Sequence, residues 1–174
     1  MTSDRQHDEH LHDEHRHRPP VPRWTHIALR VDDIDASIAW YETHTPLELI
    51  ERRSDADGHG AWLGHREQGE HPFILVLAEF FPESRPFGAL PKAVLGPFAH
   101  LGIELPSAAD VDAVAERAAA DGCLVMAPER LPDPIGYICM VADPDGNLIE
   151  FSFDQGVYAR VIDRQKATDA PEQQ

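Results

Sequence analysis

Three side chains of this 174-residue chain are of the types that make a metal centre: His26, His100 and Glu150. Two imidazoles and one carboxylate are a ligand set that holds Fe(II) while leaving coordination positions open for a substrate and dioxygen. A histidine in a strand is, taken alone, more often a structural residue than a ligand. A glutamate in a terminal strand is more often simply exposed. What raises these three is that they occupy matched places in a repeated pattern.

Residues of one parity in a strand face one side. His26 therefore shares a face with Ala28 and Arg30, His100 with Gly102 and Glu104, and Glu150 with Leu148 and Ser152. Small and polar neighbours suit a cavity wall better than a packed core. The elements that would carry them read as follows. WTHIALRV at 24–31 alternates as a strand. Asp33 or Asp35 caps a helix running to about Thr43, and Pro46 stops it. Strands are expected at 47–53, 61–65 and 73–80; the last, FILVLAEF, is nearly continuously apolar and so expected to be buried on both faces. A proline-rich stretch at 81–97 separates this half from the next. The second half repeats the order: a strand at 99–105, a helix from about Ala108 to Ala120 capped by Ser107, and strands at 123–127, 136–142 and 147–153. DPDG at 143–146 is a tight turn. Strand, helix, strand, strand, strand recurs at a spacing of roughly 75 residues. No G-x-G-x-x-G follows the first strand, so a dinucleotide-binding sheet is excluded.

Composition limits the remaining possibilities. The chain has 31 acidic and 15 basic residues, a net charge of -16 with histidines neutral. Nucleic-acid binding needs clustered Lys and Arg and is not expected. No apolar run reaches the roughly 20 residues of a membrane helix. The N-terminus shows no basic region followed by an apolar stretch, so a cytoplasmic location is expected. Cys123 and Cys139 form no C-x-x-C motif and read as reduced core thiols. Of the 11 histidines, five fall between His7 and His17 among Asp, Glu and Arg. That run reads as a disordered tail covering 1–22, with weak Zn²⁺ or Ni²⁺ chelation as its one chemical option.

Three stretches, WTHIALRVDDIDASIAWYE, AHLGIELPSAADVDAVAERAAADG and VADPDGNLIEF, resemble the vicinal oxygen chelate superfamily. It includes glyoxalase I, fosfomycin and bleomycin resistance proteins, methylmalonyl-CoA epimerase and extradiol dioxygenases. The resemblance covers about residues 24–154, and D-P-D-G-N-x-I-E-F is its most specific part. It implies an α+β fold of two βαβββ modules forming a curled mixed sheet around a metal site. The expected domain spans 23–154: module 1 about 23–80, linker 81–97, module 2 about 98–154, then a tail at 155–174. His26, His100 and Glu150 fall on the family's first, third and fourth ligand positions.

The second ligand position, Glu or Gln in glyoxalase-type members, aligns near Val76. Glu79, the one carboxylate of that strand, lies about three residues late, and such a shift changes the face. The three-ligand pattern of extradiol dioxygenases fits better. That resemblance assigns proton transfer to His71 and a supporting role to Tyr137. The expected activity is thus a divalent-metal enzyme of extradiol-dioxygenase type, with Fe(II) favoured over Ni, Zn or Mn. Its substrate would be a small molecule with neighbouring oxygens. The alternatives are a glyoxalase I-like lyase or isomerase, in which Glu79 is a fourth ligand, and a non-catalytic binding protein. A homodimer is expected; in some relatives modules are exchanged between chains. His44, His59 and His65 have no assigned role, and Trp24, Trp40 and Trp62 are expected to be packing residues.

Overall fold

A computed structural model of the chain describes residues 24–65, 73–84 and 92–157, with 160, 161 and 164. The histidine-rich tail at 1–22 and His71 lie outside the described residues.

Module 1 contains β1 (His26–Arg30), α1 (Ile34–His44), β2 (Glu48–Ser54), β3 (Gly58–Gly64) and β4 (Ile74–Phe80). Module 2 contains β5 (Leu101–Glu104), α2 (Ala108–Ala120), β6 (Leu124–Leu131), β7 (Gly136–Ala142) and β8 (Leu148–Phe153). Each makes a four-stranded mixed sheet, ordered β1-β4-β3-β2 and β5-β8-β7-β6. The β1–β4 and β5–β8 pairs are parallel and the others antiparallel. The expected pair of βαβββ modules is what the chain forms.

Local chemistry sets the helix limits. Asp33 caps α1 by accepting from Ala36 N at 2.9 Å, and Ser107 caps α2 by accepting from Asp110 N at 3.2 Å. Each side-chain oxygen satisfies an N–H that has no partner within its helix. Pro46 ends the run after α1, and Gly122, at φ +73°, takes the left-handed position after α2.

Each helix covers one face of its sheet. Ile34, Ile38 and Tyr41 of α1 lie over β3 and β4, where Leu63, Leu75 and Leu77 are buried; Val111, Val114 and Ala118 of α2 lie over β7 and β8, where Val141, Ile149 and Phe151 are buried. Among the described elements, the other face of each sheet carries neither α1 nor α2, and it is called the helix-free face in that sense. FILVLAEF is accordingly not buried on both faces. Leu75 and Leu77 are buried, whereas Ile74 and Val76 on the helix-free face are half-buried. Two further expectations need correction. β6 runs on through Pro128 to Leu131, and β3 begins at Gly58. Trp24 and Trp62 are 89% and 46% exposed, not packed in a core.

Strands of the two sheets stay more than 8 Å apart, Cα to Cα, and α1 and α2 pack across the seam. The turn from Asp143 to Gly146 locks that seam. Asp143 Oδ1 accepts from the backbone N–H groups of Asp145 and Asn147, at 3.0 and 2.8 Å. Its Oδ2 accepts from Asn147 Nδ2 and from the Tyr41 hydroxyl of α1, both at 2.9 Å. Asp145 accepts from Asp32 N at 3.0 Å and binds Lys92 Nζ at 2.5 Å. The Tyr41 hydroxyl is held far above its ordinary pKa by burial first, then by the Asp143 charge, so it remains a donor. His44 of α1 adds a contact to Asp121, the residue that caps α2, Nε2 to Oδ2 at 3.2 Å.

Candidate metal centre

Strand register shows which side chains share the helix-free faces. In module 2, Gly102, Glu150 and Met140 lie in one row across β5, β8 and β7, with Met126 of β6 opposite Met140. The matching row in module 1 is Ala28, Val76 and Trp62, with Glu51 beyond. Val76 thus stands in module 1 where Glu150 stands in module 2. One row further along, Arg30, Ala78, Gly60 and Arg53 of module 1 match Glu104, Ser152, Ile138 and Glu129 of module 2. The two faces therefore carry opposite charges at equivalent corners.

His100 and Glu150 come together. His100 Nδ1 lies 2.7 Å from the Phe98 carbonyl oxygen, which can only accept, so Nδ1 carries a proton. Nε2 then faces Glu150 Oε2 at 3.6 Å. In a neutral imidazole this sets two lone pairs against each other. A cation shared between the two would relieve that opposition. Two ligands at about 2.1 Å from one metal are about 3 to 3.6 Å apart, so the pair fits a divalent ion. A backbone carbonyl on the other ring nitrogen is the usual support of a ligating histidine. A Cβ built on Gly102, beside Glu150, would meet no atom within 4 Å, so there is room next to the carboxylate. Ser152 Oγ, two residues on, is buried and has no hydrogen-bond partner among the described residues.

His26 stands on the helix-free face of sheet 1, exposed, with Nδ1 2.9 Å from Thr25 Oγ1. The chain does not bring it to His100 and Glu150: among the described residues no three His, Cys, Asp or Glu side chains gather as a metal site. Glu79 points the other way. Its Oε2 accepts from Ile34 N at 2.9 Å, so it serves the N-terminus of α1, where the helix dipole favours a negative charge. β4 therefore offers no described carboxylate to the helix-free face.

Tyr137 is a correction to the sequence reading. It pairs with Phe153, which has the opposite parity to Glu150, and so lies on the helix side. Its hydroxyl donates to Asp112 of α2 at 2.7 Å, a bond that raises its pKa. It has no access to the His100–Glu150 pair.

One residue that sequence reasoning missed touches the pair directly. Gln155 Nε2 donates to Glu150 Oε1 at 2.7 Å. Its only sequence signal is Gly156 one residue later, a mark of a chain about to reverse.

Residues 23–151 match the profile of the Glyoxalase/Bleomycin resistance protein/Dioxygenase superfamily. The chain is 41% identical over 134 residues to the uncharacterized protein PA2024 of Pseudomonas aeruginosa, covering 77% of this chain and 90% of that protein. In structure it is similar to glyoxalase I of Leishmania major, described as trypanothione-dependent. The TM-score is 0.58 at 17% identity, over 85% of this chain and 98% of that one. It is also similar to TnmS3, an antibiotic-binding protein of Streptomyces. There the TM-score is 0.56 at 21% identity, over 79% of this chain and 99% of the other. Sequence profile, repeated modules and fold agree: the chain belongs to the Glyoxalase/Bleomycin resistance protein/Dioxygenase superfamily.

Proposed function

We propose that this chain is a divalent-metal enzyme of extradiol-dioxygenase type, acting on a small molecule with two neighbouring oxygens. Fe(II) would be held by His26, His100 and Glu150. The observation that carries this reading is the register equivalence of Val76 and Glu150. An aliphatic side chain stands where a fourth ligand would be, and Glu79 is engaged at α1. A three-residue set leaves positions for both oxygens of a diol and for dioxygen. The metal, when bound, supplies Lewis acidity and a template.

The rest falls to the chain. The Phe98 carbonyl fixes the His100 tautomer. Trp62 and Met140 give the faces apolar walls for a ring. His71 remains the proton-transfer group of this reading.

His26 completes the set from a second copy of the chain. The two sheets stay apart within one chain, while a two-fold pairing sets module 1 of each copy beside module 2 of the other. Two such sites form per dimer.

Metal analysis after anaerobic purification tests the reading. Stoichiometric iron is expected, with oxygen-dependent cleavage of catechol. Iron should be lost in His26→Ala, His100→Ala and Glu150→Ala but kept in His59→Ala. Nickel or zinc without oxygen uptake would sink it. Mixing His26→Ala with Glu150→Ala subunits should restore about one quarter of the parent sites, because half of randomly formed dimers carry one intact site of two. No restoration refutes the shared site.

A second reading, a non-catalytic small-molecule binder, is favoured by the exposed Trp62 on the helix-free face and by the fold shared with TnmS3. It predicts ligand binding unchanged by a chelator.

A further inference from the structure

We propose that Gln155 is a positioning residue for the Glu150 carboxylate: its side-chain amide occupies Oε1, so that Oε2 alone is presented beside His100. This rests on the metal reading above and adds a residue to it.

The geometry comes from the end of β8. The strand stops at Phe153, and the next residues reverse the chain. Asp154 has φ +69° and Gly156 φ +68°, both in the left-handed region. For a residue other than glycine this conformation is uncommon, and Asp is among those that adopt it most readily. The reversal lays Gln155 back over the helix-free face, five residues beyond Glu150. Gly156 N then reaches Glu104 Oε1 of β5 at 3.4 Å, a weak tether on the same face.

Glu150 is 8% exposed. A carboxylate this buried needs partners on both oxygens. The two are treated differently. Oε1 accepts the Gln155 amide at 2.7 Å, and Oε2 faces His100 Nε2 at 3.6 Å. An amide can donate but brings no charge, so it orients the carboxylate without neutralising it. With Oε1 engaged, Glu150 contributes one oxygen to a metal rather than two. The position so kept free is one that a ligand with two oxygens needs.

The test uses the full chain loaded with Co(II), whose visible absorption reports coordination number. In Gln155→Met, which keeps length and loses the donor, the Co(II) dissociation constant should rise about 10- to 100-fold. The visible band should fall in intensity as the second oxygen joins. Glu104→Gln, which weakens only the neighbouring tether, should leave the band unchanged. Parent-like affinity and spectrum in Gln155→Met overturn the proposal while leaving the metal reading intact. A parent chain that takes up no cobalt overturns both. An equal spectral change in Glu104→Gln also overturns it, because the effect would then belong to the turn as a whole.

Discussion

Tyr41→Phe removes one oxygen atom from the middle of the molecule and tests what holds the modules together. Tyr41 is fully buried, and its hydroxyl donates to Asp143 Oδ2 across the seam at 2.9 Å. Hydrogen bonds to charged acceptors contribute about 1.5–3 kcal/mol. Asp143 Oδ2 keeps a second donor, Asn147 Nδ2, which places the expected loss near the middle, about 2 kcal/mol. For a chain of this size that is a fall of about 4–8 °C in Tm. Urea unfolding at pH 7 measures it directly. Tyr137→Phe is the internal control, since that hydroxyl also donates to an aspartate, Asp112, but at the surface; its loss should stay within about 0.5 kcal/mol. In a double-mutant cycle, Tyr41→Phe and Asp143→Asn should be less than additive, because they share one bond. If the two phenylalanine variants cost the same small amount, the buried bond does not clamp the seam and the reasoning fails.

The other expectations are shorter. Burial holds the His44 pKa below its ordinary value despite Asp121 beside it, while Arg117 also lowers it. The folded state therefore prefers the neutral ring. This contribution is complete above the unfolded pKa of about 6.5 and is lost as pH falls below it. The parent should lose more stability between pH 7.5 and 5.5 than His44→Gln; equal slopes would exclude His44 as the cause. Burial pushes the Cys139 thiol up to about 11, so a thiol reagent at pH 8 should label Cys123 in the native chain and Cys139 only after unfolding. Glu79→Ala removes the acceptor of Ile34 N and should cost about 1 kcal/mol of stability. It should leave metal content untouched, and loss of metal would restore Glu79 as a ligand.

Much of this fold is legible in the chain because its signals are local. Asp33, Ser107 and Gly122 mark helix ends by chemistry confined to a few residues. Alternation along β1 and β8 places His26 and Glu150 on a face by parity alone. The misreadings share a different origin. FILVLAEF is apolar on both sides because its outer side chains Ile74, Val76 and Ala78 are apolar although neither α1 nor α2 covers them. β6 continues through Pro128 because it is an edge strand, where a missing N–H leaves no ladder bond unmade. Tyr137 is near in sequence, but it lies three residues from Met140, the partner of Glu150, and an odd offset in a strand places it on the other side. That His26 stands apart from His100 and Glu150 within the chain depends on how the modules meet, and no local signal encodes that. Gln155 depends on a chain reversal of which Gly156 was the only trace.

The division of each sheet into two faces also bears on how such a chain can change over time. In β1, β3, β4, β5, β7 and β8 the helix side is built by odd-numbered residues such as Leu29, Leu77, Val141 and Phe151. Even-numbered residues such as Val76 and Glu150, with the proposed ligand His26, face the other way. Fold and function are thus inherited on separate letters of the same words. A lineage can rewrite an even position such as Val76, whose counterpart in the other module is the carboxylate Glu150, without disturbing the core beneath α1 and α2. Enzymes and sequestering proteins can then descend from one scaffold by small steps, none of which has to pass through an unfolded ancestor.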